Sequence, residues 1–363
     1  MSLPFVDPPA SLCLLRLSAL GDVTHIVPIV HTLQTHWPRT RLTWIVGARE
    51  AQLVGDIPGV EFITFDKRAG LRAYRKLRAH LRERCFDTLL LMQVALRANL
   101  ASWCVRAPLR LGFDRARAKD LHGLFINHHI PAAPGQHVVD GFFSFLETLG
   151  LKARTLRWDV PIPPAARAFA EEQLPHDKPA LVISPCSSHE QRNWRAERYA
   201  AVADYAVERY GMRVALCGGP SLPERKYGEA ITRHMHYTPL NLIGKDTIKQ
   251  LLALLTRAEV LVCPDSGPAH MATCAGTPVI GLYAATNPQR SGPYLSRQWC
   301  VDRYDTAARR YAGKPAAALQ WGTKLELPGV MDLIATEAVI ERLDALMSEP
   351  LRQALPASPP SMV

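Results

Sequence analysis

The chain has 363 residues, enough for two domains, and its 48% hydrophobic content suits a soluble globular protein with a full core. No apolar run approaches the ~20 residues needed to span a bilayer. The net charge of +10 favours anionic partners. Nucleic acid is not indicated, because neither zinc-finger spacing nor an aromatic RNA-binding signature accompanies that charge.

The N-terminal stretch MSLPFVDPPASLCLL has no basic segment followed by an apolar one. No secretory signal is therefore expected, and the chain is expected to remain in the cytoplasm. The eight cysteines include no CxxC pair. Cys13, Cys217 and Cys263 fall in or at the edge of apolar runs and read as core thiols, not as a zinc or redox site.

In chain order, SLCLLRL predicts a first strand over Ser11–Leu17, followed by the loop Ser18–Asp22. Val23, Ile26, Val27, Val30, Leu33 and Trp37 recur at helical spacing, which predicts one helix over Val23–Trp37, stopped by Pro38. A second strand over Leu42–Val46 completes a Rossmann-like β–loop–α–β opening. GxGxxG is missing, so a dinucleotide site is not indicated. A third strand is predicted over Val60–Phe65. A basic helix follows over Lys67–Arg84, with Leu71, Tyr74, Leu77 and Leu81 on its packing side. Its charged side reads either as a solvated face or as a surface drawn to anions. Then come a strand over Phe86–Met92, a helix over Leu96–Val105, a strand over Leu109–Phe113, a basic loop to His122, and a helix over Asp140–Leu149 closed by Gly150.

Prolines 161, 163, 164, 175 and 179 mark a linker. The expected division is an N-terminal domain over 1–160, a C-terminal domain over 161–348 whose last helix could pack back on the first domain, and a disordered tail over 349–363 rich in Pro and Ser.

The second half repeats the α/β rhythm. Strand Ala180–Ser184 leads into the loop Pro185–Asn193 and a helix over Trp194–Tyr210 ended by Gly211. Strand Val214–Cys217 runs into Gly218-Gly219-Pro220 and a helix holding Glu224 and Arg225. Extended Leu240–Ile243 precedes a helix over Thr247–Arg257 with Leu251, Leu252, Leu254 and Leu255 inward. Strand Val260–Cys263 then meets Asp265-Ser266-Gly267-Pro268. Asp265 or Ser266 can cap a helix over Ala269–Ala275, which Gly276 ends before strand Pro278–Tyr283. The last periodic pattern is a helix over Val339–Met347. No short-period repeat is visible, and the halves look alike only as two α/β layers.

In open parallel sheets, ligands bind beyond the carboxyl ends of strands. Four polar loops qualify: Ser18–Asp22, Ser187–Arg192, Gly218–Glu224 and Asp265–His270. The last reads either as an ordinary capped crossover or as a helix N-terminus that binds phosphate.

Three stretches together resemble glycosyltransferase family 9, the heptosyltransferases of lipopolysaccharide core assembly. They are LLRLSALGDVTHIVPIVHTLQTHWPRTRLTWIVG, the loop from Ser187 to Trp194, and LIGKDTIKQLLALLTRAEVLVCPDSGPAHMATCAGTPVIGLYAATNPQRSGPY. The resemblance spans residues 11–348. It implies the α/β GT-B architecture, two Rossmann-like domains with parallel sheets facing across a cleft. The acceptor and the catalytic Asp would belong to the first domain and the donor to the second. It implies inversion, no metal, and no cofactor beyond ADP-heptose as donor substrate. Asp22 matches the catalytic Asp, which would deprotonate the acceptor hydroxyl; its alternative is an N-cap for Val23–Trp37. Arg192 would neutralise the departing nucleoside diphosphate, where the family usually has Lys. Ser187, Ser188, Asp265, Ser266, Gly267 and His270 match donor-binding positions. Glu224 would grip the ribose hydroxyls, or else is an ordinary first-turn Glu. Lys245, Asp246 and Thr247 resemble the segment beside the adenine. Tyr283 to Pro288 reads YAATNP against the common FGPTDP, so Ala285 and Asn287 depart.

The implied partners are a nucleotide sugar, an anionic glycolipid acceptor (Kdo-lipid A or heptosylated core), and the cytoplasmic face of the inner membrane, held peripherally. Arg68, Arg72 and Arg75, or Arg115, Arg117 and Lys119, would meet the acceptor. Three rivals stand beside this reading: a related transferase with another sugar or acceptor, a non-catalytic nucleotide-sugar-binding protein, and an epimerase on the same fold.

Overall fold

A computed structural model describes residues 3–349, so the tail expected over 349–363 lies, but for Glu349, outside the described residues. The chain forms two compact units, Met1–Ala166 with Gln289–Ser291, and Arg167–Pro288 with Gly292–Val363.

The first unit carries a six-stranded parallel sheet built from β1 (Ser11–Leu15), β2 (Arg41–Gly47), β3 (Val60–Phe65), β4 (Thr88–Leu91), β5 (Leu109–Gly112) and β6 (His128–His129). Its order is β3-β2-β1-β4-β5-β6. β1 and β4 are buried along their whole length, as expected of central strands covered by helices on both faces. The second unit has β7 (Ala180–Ile183), β8 (Arg213–Leu216), β9 (Leu240–Asn241), β10 (Val260–Pro264), β11 (Val279–Tyr283) and β12 (Val301–Asp302), in the order β12-β11-β10-β7-β8-β9. Both sheets are parallel throughout. The α/β class with two Rossmann-like sheets is therefore as expected.

The halves are more alike than their sequences suggest. Each sheet runs two strands outward from its first strand, then returns to place the fourth strand on the other side of the first. That is the doubly wound order, and it creates a switch point between β1 and β4 and another between β7 and β10.

Three local expectations need correction. The helix expected over Val23–Trp37 is two helices, Leu20–Thr24 and Val27–His36. A continuous helix would require an N–H from Pro28, which has none. The chain instead restarts, with Pro28 in the first turn. The basic helix is confined to Leu71–Leu81, because Lys67–Ala69 is a separate 3-10 turn and Gly70 adopts φ 54°. Its buried stripe is Ala73, Leu77 and Leu81. Leu71, expected to pack, lies about 120° around the helix from that stripe and is exposed. Residues 295–338, where no pattern was legible, hold β12, the helix Tyr304–Ala312 and several 3-10 turns.

Glycine closes several of the helices. Gly150, Gly211 and Gly276 close their helices in the left-handed region, as expected. Cys13, Cys217 and Cys263 are fully buried core thiols. Among the described residues, no helix is long and apolar enough to cross a membrane.

Candidate active site

In the first unit the loop after β1 is tied to the loop after β4. Arg16 donates from Nη1 to the Met92 carbonyl at 2.6 Å. The Leu17 N–H donates to Gln93 Oε1 at 2.7 Å, and Gln93 Nε2 donates to Ser18 Oγ at 3.1 Å. These contacts hold the backbone at the switch point, where Asp22 emerges. Asp22 does not N-cap a long helix. It is the third residue of Leu20–Thr24, and its Oδ2 accepts the Ala19 N–H at 3.0 Å. The same oxygen pairs with Arg16 Nη2 at 2.6 Å, and the Asp22 side chain keeps 34% of its exposure. Arg16 is itself nearly enclosed and lies over the Phe142 ring, 5.4 Å from its centroid. The result is a carboxylate of fixed direction, countered by Arg16 and partly open to solvent. The Arg16 partner was not legible, because a turn, not a periodic element, separates the two residues.

The second unit has an equivalent junction. Ser187 and Arg192 lie after β7, and Asp265 lies after β10. Ser187 Oγ donates to the Asp265 carbonyl at 3.0 Å. Arg192 Nη1 reaches the Asp265 carbonyl at 3.4 Å and its Oδ2 at 3.5 Å. The other edge of the guanidinium is held by Glu326: Nε donates to Oε1 at 2.8 Å and Nη2 to the same oxygen at 2.5 Å. His189 Nε2 stands 3.5 Å from the second Glu326 oxygen. The cation expected to face a leaving group is thus 11% exposed and set between two carboxylates. Arg192 holds the Glu326 carboxyl below the usual carboxylate range, against the opposing effect of its burial. Glu326 comes from the segment with no legible pattern. It is brought here by the buried Leu325, whose N–H donates to the Ala285 carbonyl at 2.7 Å.

Ser266 occupies the N-cap position of the helix Gly267–Ala275, yet its side chain makes no capping bond. Its Oγ is buried, with the Cys263 thiol against it. Pro268 stands in the first turn, and Gly267 gives the backbone a side-chain-free approach. A helix start that no side chain caps is suited to an anion. His270 lies one turn in, buried, with Nε2 4.0 Å from Asp265 Oδ1. Ser188 is exposed on the neighbouring loop.

A third loop belongs to the same end of the second sheet. Glu224 is the third residue of the helix Leu222–His234, and Ser221 caps it. The carboxylate folds back to accept the Gly219 N–H at 2.6 Å and the Ser221 hydroxyl at 3.1 Å. A Cβ on Gly219 would fall 2.7 Å from Glu224 Oε1, so a larger residue there would displace the carboxylate from this position. Lys245 is exposed and donates to the Asn241 carbonyl at 2.8 Å. Thr247 caps the helix Ile248–Thr256 in a reciprocal box with Gln250. Between them, Asp246 has a buried Oδ2 without a hydrogen-bond partner. Burial, reinforced by the charge of Glu224, pushes its carboxyl up to about 7.

Of the basic residues expected to meet an anionic acceptor, Arg68, Arg72, Arg75, Arg115 and Lys119 are exposed. Arg117 is not a free cation. It is paired with Asp114, donates to the Pro131 carbonyl at 3.1 Å, and lies over Phe113.

Comparison with known proteins gives these loops a family. Residues 74–322 match the family model for glycosyltransferase family 9 (heptosyltransferase). The chain is 40% identical over 342 residues to the lipopolysaccharide core heptosyltransferase OpsX of Haemophilus influenzae, covering 94% of this chain and 98% of that one. Two solved structures share its fold. One is a glycosyl transferase family 9 protein from Veillonella parvula, with a TM-score of 0.79, 22% identity, and coverage of 94% of this chain and 98% of that one. The other is the E. coli heptosyltransferase WaaC with ADP, with a TM-score of 0.72, 18% identity, and coverage of 93% and 99%. With the family model matched over more than half its length and a relative aligned nearly end to end, the chain belongs to glycosyltransferase family 9, the heptosyltransferase family.

Proposed function

We propose that the chain transfers heptose from ADP-L-glycero-D-manno-heptose to a Kdo or heptose of the lipopolysaccharide inner core, with inversion and release of ADP. The observation that carries this reading is the near-complete alignment, at 40% identity, with a lipopolysaccharide core heptosyltransferase.

Asp22 acts as general base and takes the proton of the acceptor hydroxyl as it attacks the anomeric carbon. Its anchorage by Arg16 and the Ala19 N–H supports that role, since a base must be held in one direction. The donor's diphosphate sits at the start of the helix Gly267–Ala275, against the N–H groups of Ser266 and Gly267. Arg192 meets the charge that grows on the leaving ADP. Asp265 and His270 receive sugar hydroxyls, with Ser187 and Ser188 beside the pyrophosphate. Glu224 holds the ribose, and Lys245 and Thr247 flank the base. Arg192 and the helix N-terminus together supply the positive charge for the leaving group, so we read the transfer as metal-independent and without a cofactor. Arg68, Arg72, Arg115 and Lys119 engage the anionic glycolipid, and the enzyme works peripherally at the cytoplasmic face of the inner membrane.

The test is direct. The protein is incubated with ADP-heptose and Kdo-lipid A, and ADP release and lipid mass are followed. ADP production with a one-heptose mass gain supports the reading; a protein that binds ADP-heptose yet leaves the lipid unchanged would refute it. Asp22→Asn should abolish turnover while leaving ADP binding within about twofold, because its role falls on the transition state.

A further inference from the structure

The first unit has an outer layer whose exposed apolar groups the transfer chemistry does not explain. It comprises the helices Leu71–Leu81 and Leu96–Ser102 and the turn His122–Phe125. These pieces form one surface. Tyr74 Oη reaches the Arg97 carbonyl at 3.5 Å, and Cys104 Sγ the Tyr74 carbonyl at 3.7 Å. Trp103 packs on Phe125 with ring centroids 4.6 Å apart. Underneath, Ala73, Leu77, Leu81, Ala98, Ala101 and Phe125 share one core.

The outward side carries large apolar groups that ordinary folding would hide. Trp103 is 66% exposed, Leu121 68% and Leu124 71%, with Leu96 at 50%. Single exposed apolar residues mean little, but several on one surface mark an interaction site. Leu121 adds a second, independent sign. It adopts φ 59° and its neighbour Asp120 φ 53°, a left-handed conformation that a branched side chain takes only under strain. The strain is held in place. Asp120 Oδ2 accepts the Leu96 N–H at 3.1 Å, and Asn99 Nδ2 donates to the Asp120 carbonyl at 2.8 Å. The buried His122 ring is fixed by Asn99 at 2.9 Å and by the Phe113 N–H at 3.1 Å. A glycine at 121 would relieve the backbone. The chain instead holds a leucine there and turns it to solvent.

Charge identifies the occupant. Residues 67–125 contain 14 Lys and Arg against 4 Asp and Glu, a net of +10, which is the net charge of the entire chain. The rest of the protein is balanced, so the whole excess is gathered in the segment that builds this layer. Arg72, Arg75, Lys76 and Arg97 are exposed within it. A surface both cationic and apolar is matched by an anionic bilayer, which offers headgroup charge and acyl chains together. Two copies of this face would repel each other.

We propose that this layer docks the protein on an anionic lipid bilayer, with Leu96, Trp103, Leu121 and Leu124 entering the headgroup–acyl boundary and the surrounding cations meeting lipid phosphates. The inference rests on the proposed transfer for its purpose, since a lipid-borne acceptor is reached at a membrane, but its test needs neither donor nor acceptor.

The experiment is co-sedimentation of the full chain with vesicles of phosphatidylcholine alone and with vesicles containing phosphatidylglycerol. Binding is expected to the anionic vesicles and to weaken as salt is raised. Arg75→Gln with Lys76→Gln should weaken it about fivefold per cation removed. Leu121→Ser with Leu124→Ser should weaken it about tenfold even at low salt. Leu121→Gly separates docking from folding: it should raise the melting temperature by releasing strain and still weaken vesicle binding. Wild-type protein left in the supernatant with both vesicles would overturn the proposal. So would apolar variants that bind like wild type, or a dimer that these variants abolish, which would assign the face to a second copy. A protein that binds vesicles but does not consume ADP-heptose would sink the transfer reading and leave the docking face standing.

Discussion

Asp246 gives the sharpest quantitative expectation. Its Oδ2 is buried without a hydrogen-bond partner, and Glu224 adds a like charge nearby. Burial first, and Glu224 second, raise the carboxyl from 3.8 to about 7, partly opposed by a backbone hydrogen bond to the carboxylate. At 1.36 kcal/mol per pKa unit, a shift of that size corresponds to about 4 kcal/mol, and water reaching the site reduces the effective value to about 2–3 kcal/mol. The folded chain keeps the Asp246 proton up to about pH 7, whereas the unfolded chain releases it near 3.8. The folded state therefore binds more protons between those values, and stability falls as pH rises through that window. Asp246→Asn removes the ionisation and preserves the shape. The variant should match wild type below about pH 4, gain about 2–3 kcal/mol over it above about pH 8, and lose this pH dependence between. For a unit of this size the gain should raise the melting temperature by about 5–10 °C at the alkaline end. Urea unfolding followed by circular dichroism across that range is the assay. A constant difference between the two proteins at every pH would refute the reasoning, because a neutral packing effect does not titrate.

Three further outcomes follow from other contacts. Glu326→Ala strands the 11%-exposed Arg192 of its closer carboxylate; a loss of about 2 kcal/mol is expected in urea unfolding, with Glu326→Gln recovering part of it through its carbonyl oxygen. Gly47→Ala would place a Cβ 2.2 Å from the Leu17 carbonyl oxygen and 2.3 Å from Glu50 Oε2. Because Gly47 N–H also donates to that carbonyl at 3.0 Å, the strand cannot move away, and a loss of about 3 kcal/mol is expected by thermal unfolding. If Arg192 and the helix N-terminus alone offset the leaving-group charge, EDTA should leave ADP release from ADP-heptose unchanged, whereas a severalfold loss restored by one metal would overturn the metal-independent reading.

The loops at both switch points were legible because each follows a buried apolar strand and is punctuated by Gly, Pro or Ser, a pattern that depends only on neighbours in sequence. The partners of the residues in those loops depend on folding and were not legible. Arg16 meets Asp22 because the turn after β1 leads directly into a short helix whose third residue is Asp22. Glu326 meets Arg192 across 134 positions, from a stretch with neither helical nor strand period. That partner bears on the one donor-loop residue that departs from the family's usual lysine. A planar guanidinium spends Nε and Nη2 on Glu326 and still directs Nη1 at Asp265. An ammonium carries its three N–H donors on one atom, without the guanidinium's two separate edges, so it would have to hold both carboxylates from a single point. Arg at 192 and Glu at 326 therefore read as one device. If so, Arg192→Lys in the Glu326→Gln background should cost less ADP affinity than in the wild-type background, and equal costs measured by calorimetry would show that the two act independently.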